Sequence, residues 1–216
     1  RENLDTLLRV ALEEQQQALK LEPKSAHILN EIGYINFLKE DYNESVLKYK
    51  EAVQYAPSWP LLWSNLCGSY NRMGDYKNGL MSGERAIELD SMFVLGIYNL
   101  GQNYQYRGNL IKANELYLRA INIDSSFSDA YFRLGSNYFL DKDYEQAVKM
   151  KKAGLDYEPN NVQELNALGY YLLQQNELEK AKNYYEKAKS ILPISEFSFQ
   201  GMIEYYMYTN DLVNAE

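Results

Sequence analysis

By residue type, His27 and Cys67 are the side chains best suited to chemistry, and each is the sole representative of its kind. A zinc site needs three or four His, Cys or acidic ligands, which one histidine and one distant cysteine do not supply. A Cys–His nucleophile pair would have to join these two residues, and the packing argued below buries the cysteine. Gly68, Gly74, Gly79 and Gly83 lack the strand-to-helix context of a phosphate-binding loop. Acidic residues such as Glu177, Glu179 and Glu186 alternate with Lys180, Lys182 and Lys187, the pattern of a solvated helix face with i,i+3 and i,i+4 pairs. No catalytic residue, metal site or cofactor is therefore expected. Cys67 reads as a packing residue, and a lone cysteine excludes an internal disulfide.

The formal net charge of −8 disfavours a duplex-wide phosphate interface, so nucleic acid is not an expected partner. No apolar run approaches the roughly 18–20 residues needed to cross a bilayer, and no membrane insertion is expected within this segment. A single cysteine fits a reducing compartment and favours the cytoplasm over the periplasm. Lysine in excess of arginine, with abundant asparagine, points to an AT-rich, bacterial genome.

The elements that must carry these side chains recur every 34 residues: Gly33, Cys67, Gly101, Gly135, Gly169 and Ile203 are successive steps. Large apolar residues precede each step (Leu29 and Ile32, Trp63 and Leu66, Ile97 and Leu100), and three residues after it stand Asn36, Tyr70, Tyr104, Tyr138, Leu172 and Tyr206. Spacings of three, four and seven place them on one helix face. A short turn follows, as in Gly74-Asp75-Tyr76 or Lys142-Asp143-Tyr144, whose residues suit left-handed backbone or helix capping. A second helix then carries small residues at Ser45, Gly79, Ala113, Ala147, Ala181 and Ala215, and again at Ala52, Ala86, Ala120, Gly154 and Ala188. Tyr49, Tyr117 and Tyr185 fill the gap between, and Pro57, Pro159 and Pro193 stop the helix. Gly79 and Gly83, one turn apart, read as close packing, with a soft joint as the alternative. Lys151 stands where other repeats place an aromatic, so the outer surface there is expected to be basic.

A large aromatic, Leu-Gly, Tyr, then Ala, an aromatic and Pro at this period resembles the tetratricopeptide repeat family. The resemblance implies an all-α fold, a right-handed superhelical solenoid of antiparallel helix pairs. One array is expected over 1–216. It comprises a partial repeat over 1–25, full repeats at 26–59, 60–93, 94–127, 128–161 and 162–195, and a partial repeat over 196–216.

In that family the first helices line a concave groove. Its positions here include Tyr34, Ser64, Gly68, Tyr98, Gln102, Phe132, Gln163, Asn166, Tyr170, Phe197, Gln200 and Glu204. Only Arg72, Asp129 and Glu204 carry charge on this face, whereas 24% of the chain is charged. Rings with amide side chains suit a polypeptide, since rings pack side chains and amides pair with backbone. Tyr34, Tyr98, Phe132 and Tyr170 are the expected ligand-facing rings, while Phe37, Phe139 and Leu173 are expected to pack against the neighbouring repeat. Asn65 and Asn99 resemble two rungs of the asparagine ladder of O-linked N-acetylglucosamine transferases; Glu31, Arg133, Ala167 and Gly201 break it. Of the carboxylate clamp of chaperone-binding members, only Asn99 and Arg133 match, so strong binding of an acidic C-terminal tail is not expected.

The expected function is a non-enzymatic scaffold holding a peptide or helix of another protein through Tyr34, Asn65, Tyr98, Asn99, Gln102, Phe132, Arg133 and Tyr170. The alternative is the targeting portion of a larger enzyme, such as a glycosyltransferase or a signalling protein. It is motivated by a chain that enters inside a repeat at Arg1 and ends inside a second helix at Glu216. End-to-end self-association through uncapped terminal faces is a third expectation.

Overall fold

In the computed structural model, which describes residues 2–193 and 196–209, each 34-residue step becomes two antiparallel helices. The twelve helices among the described residues are α1 (Glu2–Leu21), α2 (Ala26–Leu38), α3 (Tyr42–Tyr55), α4 (Pro60–Met73), α5 (Tyr76–Leu89), α6 (Val94–Tyr106), α7 (Leu110–Ile123), α8 (Ser128–Leu140), α9 (Tyr144–Tyr157), α10 (Val162–Gln174), α11 (Leu178–Ile191) and α12 (Glu196–Thr209). They form two compact units, Arg1–Ile123 and Asp124–Glu216. Ala215 and the side chain of Phe197 lie outside the described residues.

Local chemistry sets the helix ends. Glu40, Gly74, Gly108, Lys142 and Asn176 occupy the same step of the period, and all have φ between 60° and 79°. This left-handed residue lets the next N–H turn back: Asp41 donates to the Asn36 carbonyl and Asp143 to that of Tyr138, both at 2.9 Å. The same residue then caps the second helix, Asp41 accepting from the Glu44 N–H at 3.2 Å and Asp143 from that of Gln146 at 3.1 Å. Glycine adopts this backbone freely, whereas glutamate and lysine are strained there. Glu40→Gly and Lys142→Gly are each expected to raise the unfolding free energy by about 0.5–1 kcal/mol, the strain relieved less the added entropy of the unfolded chain. Urea titration would measure the gain. The prolines act as stops: α3, α9 and α11 end two residues before Pro57, Pro159 and Pro193.

Within each hairpin a small residue on the first helix meets a large one on the second. A Cβ added to Gly33, Gly101 or Gly169 would come within 2.7 Å of the Tyr49, Tyr117 or Tyr185 ring, respectively. Those three tyrosines are among the most deeply buried side chains of the two units. In the second full repeat the sizes exchange: Cys67 is the larger partner and Gly83 the smaller, with a Cβ on Gly83 lying 3.0 Å from the Cys67 Sγ. Gly79 is equally confined, between Asn71 and Asn103. Both glycines are thus packing residues, and the soft-joint alternative has no support from the space around them.

The fourth repeat is the exception and corrects an expectation. Lys151 is not on the outer surface. It is buried against Gly135 in the tyrosine's place, with its ammonium 2.5 Å from Glu164 and over the rings of Phe132 and Tyr171 at 5.7 and 5.6 Å. Burial pushes its pKa down and the Glu164 carboxylate opposes that shift.

Candidate functional site

The first helices of each unit carry the residues singled out above, and the structure divides them into open and enclosed groups. In the first unit Tyr34 on α2 is 48% exposed. Tyr98 on α6 is only 7% exposed: its ring lies 5.8 Å from that of Tyr117 and its hydroxyl accepts from the Gln102 amide at 2.9 Å. A ring expected to face a ligand therefore packs inside its own hairpin, and Gln102 is engaged in holding it.

The two asparagines of the ladder are committed to neighbouring helices. The Asn65 amide donates to the Asn30 Oδ1 at 2.9 Å, joining α4 to α2. The Asn99 amide donates to the carbonyl and hydroxyl of Ser64 at 3.1 and 3.0 Å, joining α6 to α4. Asn71 reaches the Asn99 carbonyl at 3.0 Å and accepts from Asn103 at 2.6 Å. Asn71, Asn99 and Asn103 form a buried network that clasps α4 to α6, because a buried amide must find partners inside the protein, while the Asn65–Asn30 pair is part-buried. Cys67 belongs to the same region. Its thiol donates to the Asn99 carbonyl at 3.3 Å, and burial raises its pKa to about 12, so it remains protonated and inert.

In the second unit Phe132 on α8 is 4% exposed and lies over Gly154, where a Cβ would overlap its ring. Other repeats have alanine at that step, and the glycine is what admits the ring. Phe132 is thus a core residue and not an open groove residue. Arg133 is half-buried and opposes the rise in the Asp129 pKa, which burial causes first and Glu158 second. Phe139 stacks on Tyr171 of the next repeat with centroids 4.1 Å apart, as expected; Leu173 is buried, and Phe37 meets the Tyr42 ring of its own hairpin at 5.4 Å.

Tyr170 is 40% exposed and lies on the wall of an open cleft of 330 Å³ between α10 and α12. Gln163, Asn166, Ala167 and Tyr171 complete the α10 wall; Gln200, Gly201 and Glu204 form the other. Gly201, the step that breaks the asparagine ladder, lets α12 approach: a Cβ there would meet the Tyr185 ring and the Asn166 side chain. Glu204 is held at one end of the cleft, accepting from the Tyr185 hydroxyl and the Gln200 amide, both at 3.4 Å. Burial and then Glu204 raise the Tyr185 pKa. The cleft thus offers three amides and a partly open ring, with one carboxylate. Glutamine and asparagine in this column of first-helix positions were the sequence signal for it.

His27 lies 4.5 Å from the Trp59 ring, and no group of three or more His, Cys, Asp or Glu among the described residues could hold a metal ion. No described helix is long and apolar enough to cross a membrane.

Comparison with known proteins agrees with this architecture. The tetratricopeptide repeat model matches residues 128–161 and 165–193. The Hsp70-Hsp90 organizing protein of Triticum aestivum is 27% identical over 183 residues, covering 82% of this chain and 26% of the relative's length. The chain therefore spans about a quarter of that relative. Among solved structures, the Cut9–Hcn1 hetero-tetramer of the APC/C superposes with a TM-score of 0.82 at 13% identity, over 93% of this chain and 40% of the other. YrrB, described as a TPR protein with an unusual peptide-binding site, gives 0.58 at 17% identity, over 89% and 99%. Residues 128–161 and 165–193 thus match tetratricopeptide repeats, and the same 34-residue period of helical hairpins runs through the other described residues, in an all-α repeat fold shared with these solved structures.

Proposed function

We propose that this chain is a non-enzymatic protein-interaction module, and that the cleft between α10 and α12 holds an extended segment of a partner protein. The observation that carries this reading is the lining of that cleft: Gln163, Asn166 and Gln200 can pair with a peptide backbone, and Tyr170 can pack a side chain beside them. Tyr34 offers a second exposed ring on the first unit. The names of the similar proteins, an Hsp70-Hsp90 organizing protein and a hetero-tetramer of the APC/C, fit a module of this kind. Their greater length fits a module that works inside a larger protein. The asparagine-ladder resemblance to O-linked N-acetylglucosamine transferases lends this reading nothing, since the Asn65 and Asn99 amides are spent on neighbouring helices. An acidic C-terminal tail is also a poor ligand, because Asn99 is buried and bonded to Ser64.

Peptides selected from a displayed library against the intact chain, then titrated by calorimetry, test the assignment. The double variant Tyr170→Ala/Gln200→Ala is expected to weaken binding at least tenfold with helicity unchanged. Equal affinity in the variant would remove the cleft from consideration. Tyr98→Ala and Phe132→Ala are not suitable probes of the site: both empty buried volume and are expected to cost about 3 kcal/mol of stability.

A further inference from the structure

On the second-helix side of the first unit, α3, α4 and α5 enclose a cleft of 610 Å³ walled by Val53, Trp63, Tyr70, Met81 and Ser82. The second unit has its counterpart between α9, α10 and α11, built from the same steps of the period: Leu155 for Val53, Leu165 for Trp63, Lys152 for Lys50 and Lys187 for Arg85. That counterpart measures only 320 Å³. The linings differ at several steps, and at one of them Ser82 stands in the first unit where Tyr184 stands in the second. Lys48, Leu116 and Met150 occupy that step in the remaining full repeats, so Ser82 is the small exception.

The wider cleft is held open by fixed parts. The Trp63 indole N–H donates to the Pro57 carbonyl at 2.8 Å, which fixes the ring that forms one wall. Met81 on the opposite wall is 59% exposed, a large apolar surface left in water. The rim carries Lys50 and Arg85 against Glu84 and Glu88, with Arg85 and Glu88 paired at 3.0 Å. Two cations and two anions cancel, so the rim neither draws nor repels a net charge. An uncharged ring with a polar tip matches both the charge balance and the side chain that the chain itself places in the equivalent cleft.

We propose that this cleft is a second binding site, separate from the one between α10 and α12, and that it takes a tyrosine side chain presented by a partner polypeptide. The probe is p-cresol, the side chain of tyrosine, titrated into the intact chain and followed by NMR at the Trp63 indole N–H and the Met81 methyl. Saturable shifts at both groups are expected, with 4-methylbenzoate binding at least tenfold more weakly. Ser82→Tyr supplies the ring from within; it is expected to abolish these shifts and to raise Tm. Ser82→Leu, which copies Leu116, is expected to block the probe as well. Tyr170→Ala should leave the titration unchanged, which separates this site from the other. The assignment is overturned by shifts scattered away from Trp63 and Met81, by equal affinity for the acid, by p-cresol binding that survives Ser82→Tyr, or by loss of folding in that variant.

Discussion

Gly83→Tyr is expected to destabilise the protein by about 3 kcal/mol, the upper end for overpacking, and Cys67→Gly in the same chain is expected to restore most of that loss. A Cβ at position 83 already lies 3.0 Å from both the Cys67 Sγ and the Leu100 Cδ1, so a phenol ring has no room. Removing the thiol opens the space that Gly33 provides for Tyr49. The leucine is not an obstacle, because Tyr49 shares its cluster with Leu66, the same step of the period as Leu100. Cys67→Gly alone leaves a void and is expected to cost about 1–2 kcal/mol. A double-mutant cycle by urea denaturation should therefore yield a coupling of at least about 2 kcal/mol. Simple additivity of the two losses would show that the pair is not a matched unit.

The second large effect falls on the buried charge. Glu164→Ala is expected to cost about 3 kcal/mol, whereas Lys151→Met should leave stability within about 1 kcal/mol of the parent or raise it. The Lys151 side chain is 3% exposed and its Glu164 partner 21%, so removal of the acid strands an ammonium among aromatic rings. Methionine instead fills the space without a charge to solvate. The acid variant should also respond to pH. The lysine's pKa lies below its ordinary 10.5 in the folded chain, chiefly through burial. In the window between the folded value and 10.5 the unfolded chain holds more protons, so stability rises with pH there. The deficit of Glu164→Ala is expected to be greatest at neutral pH and to narrow as the solution becomes alkaline. Combining the two substitutions should recover most of the loss.

The fold was legible because the features that determine it are local and repeated. Turn residues, small residues at close approaches and prolines at helix ends each act within one hairpin, and five copies in phase reinforce one another. The open face was legible only in part. Column position identified Gln163, Asn166, Tyr170, Gln200 and Glu204, which do line one cleft. It did not separate Tyr34 and Tyr170 from Tyr98 and Phe132. Whether a ring at these positions turns outward depends on the space behind it. Gly154 admits Phe132, and Gln102 anchors Tyr98 inward. The glycine in an alanine column was a readable sign of the first; the second depends on rotamers that spacing does not encode. Lys151 was misplaced for a related reason. Its charge suggested solvent, but its step of the period is a core position in every hairpin, and geometry prevailed once Glu164 was within reach.

The matched small and large residues have a consequence for how such a chain can change over time. Each pair, Gly33 with Tyr49 or Cys67 with Gly83, lies within a single hairpin. A duplicated or transplanted hairpin therefore brings its own complement along, and copies that differ in how they fill their interiors can stand side by side. Lengthening or shortening by whole hairpins leaves these interior fits intact, while the outward-facing positions of each copy remain free to diverge.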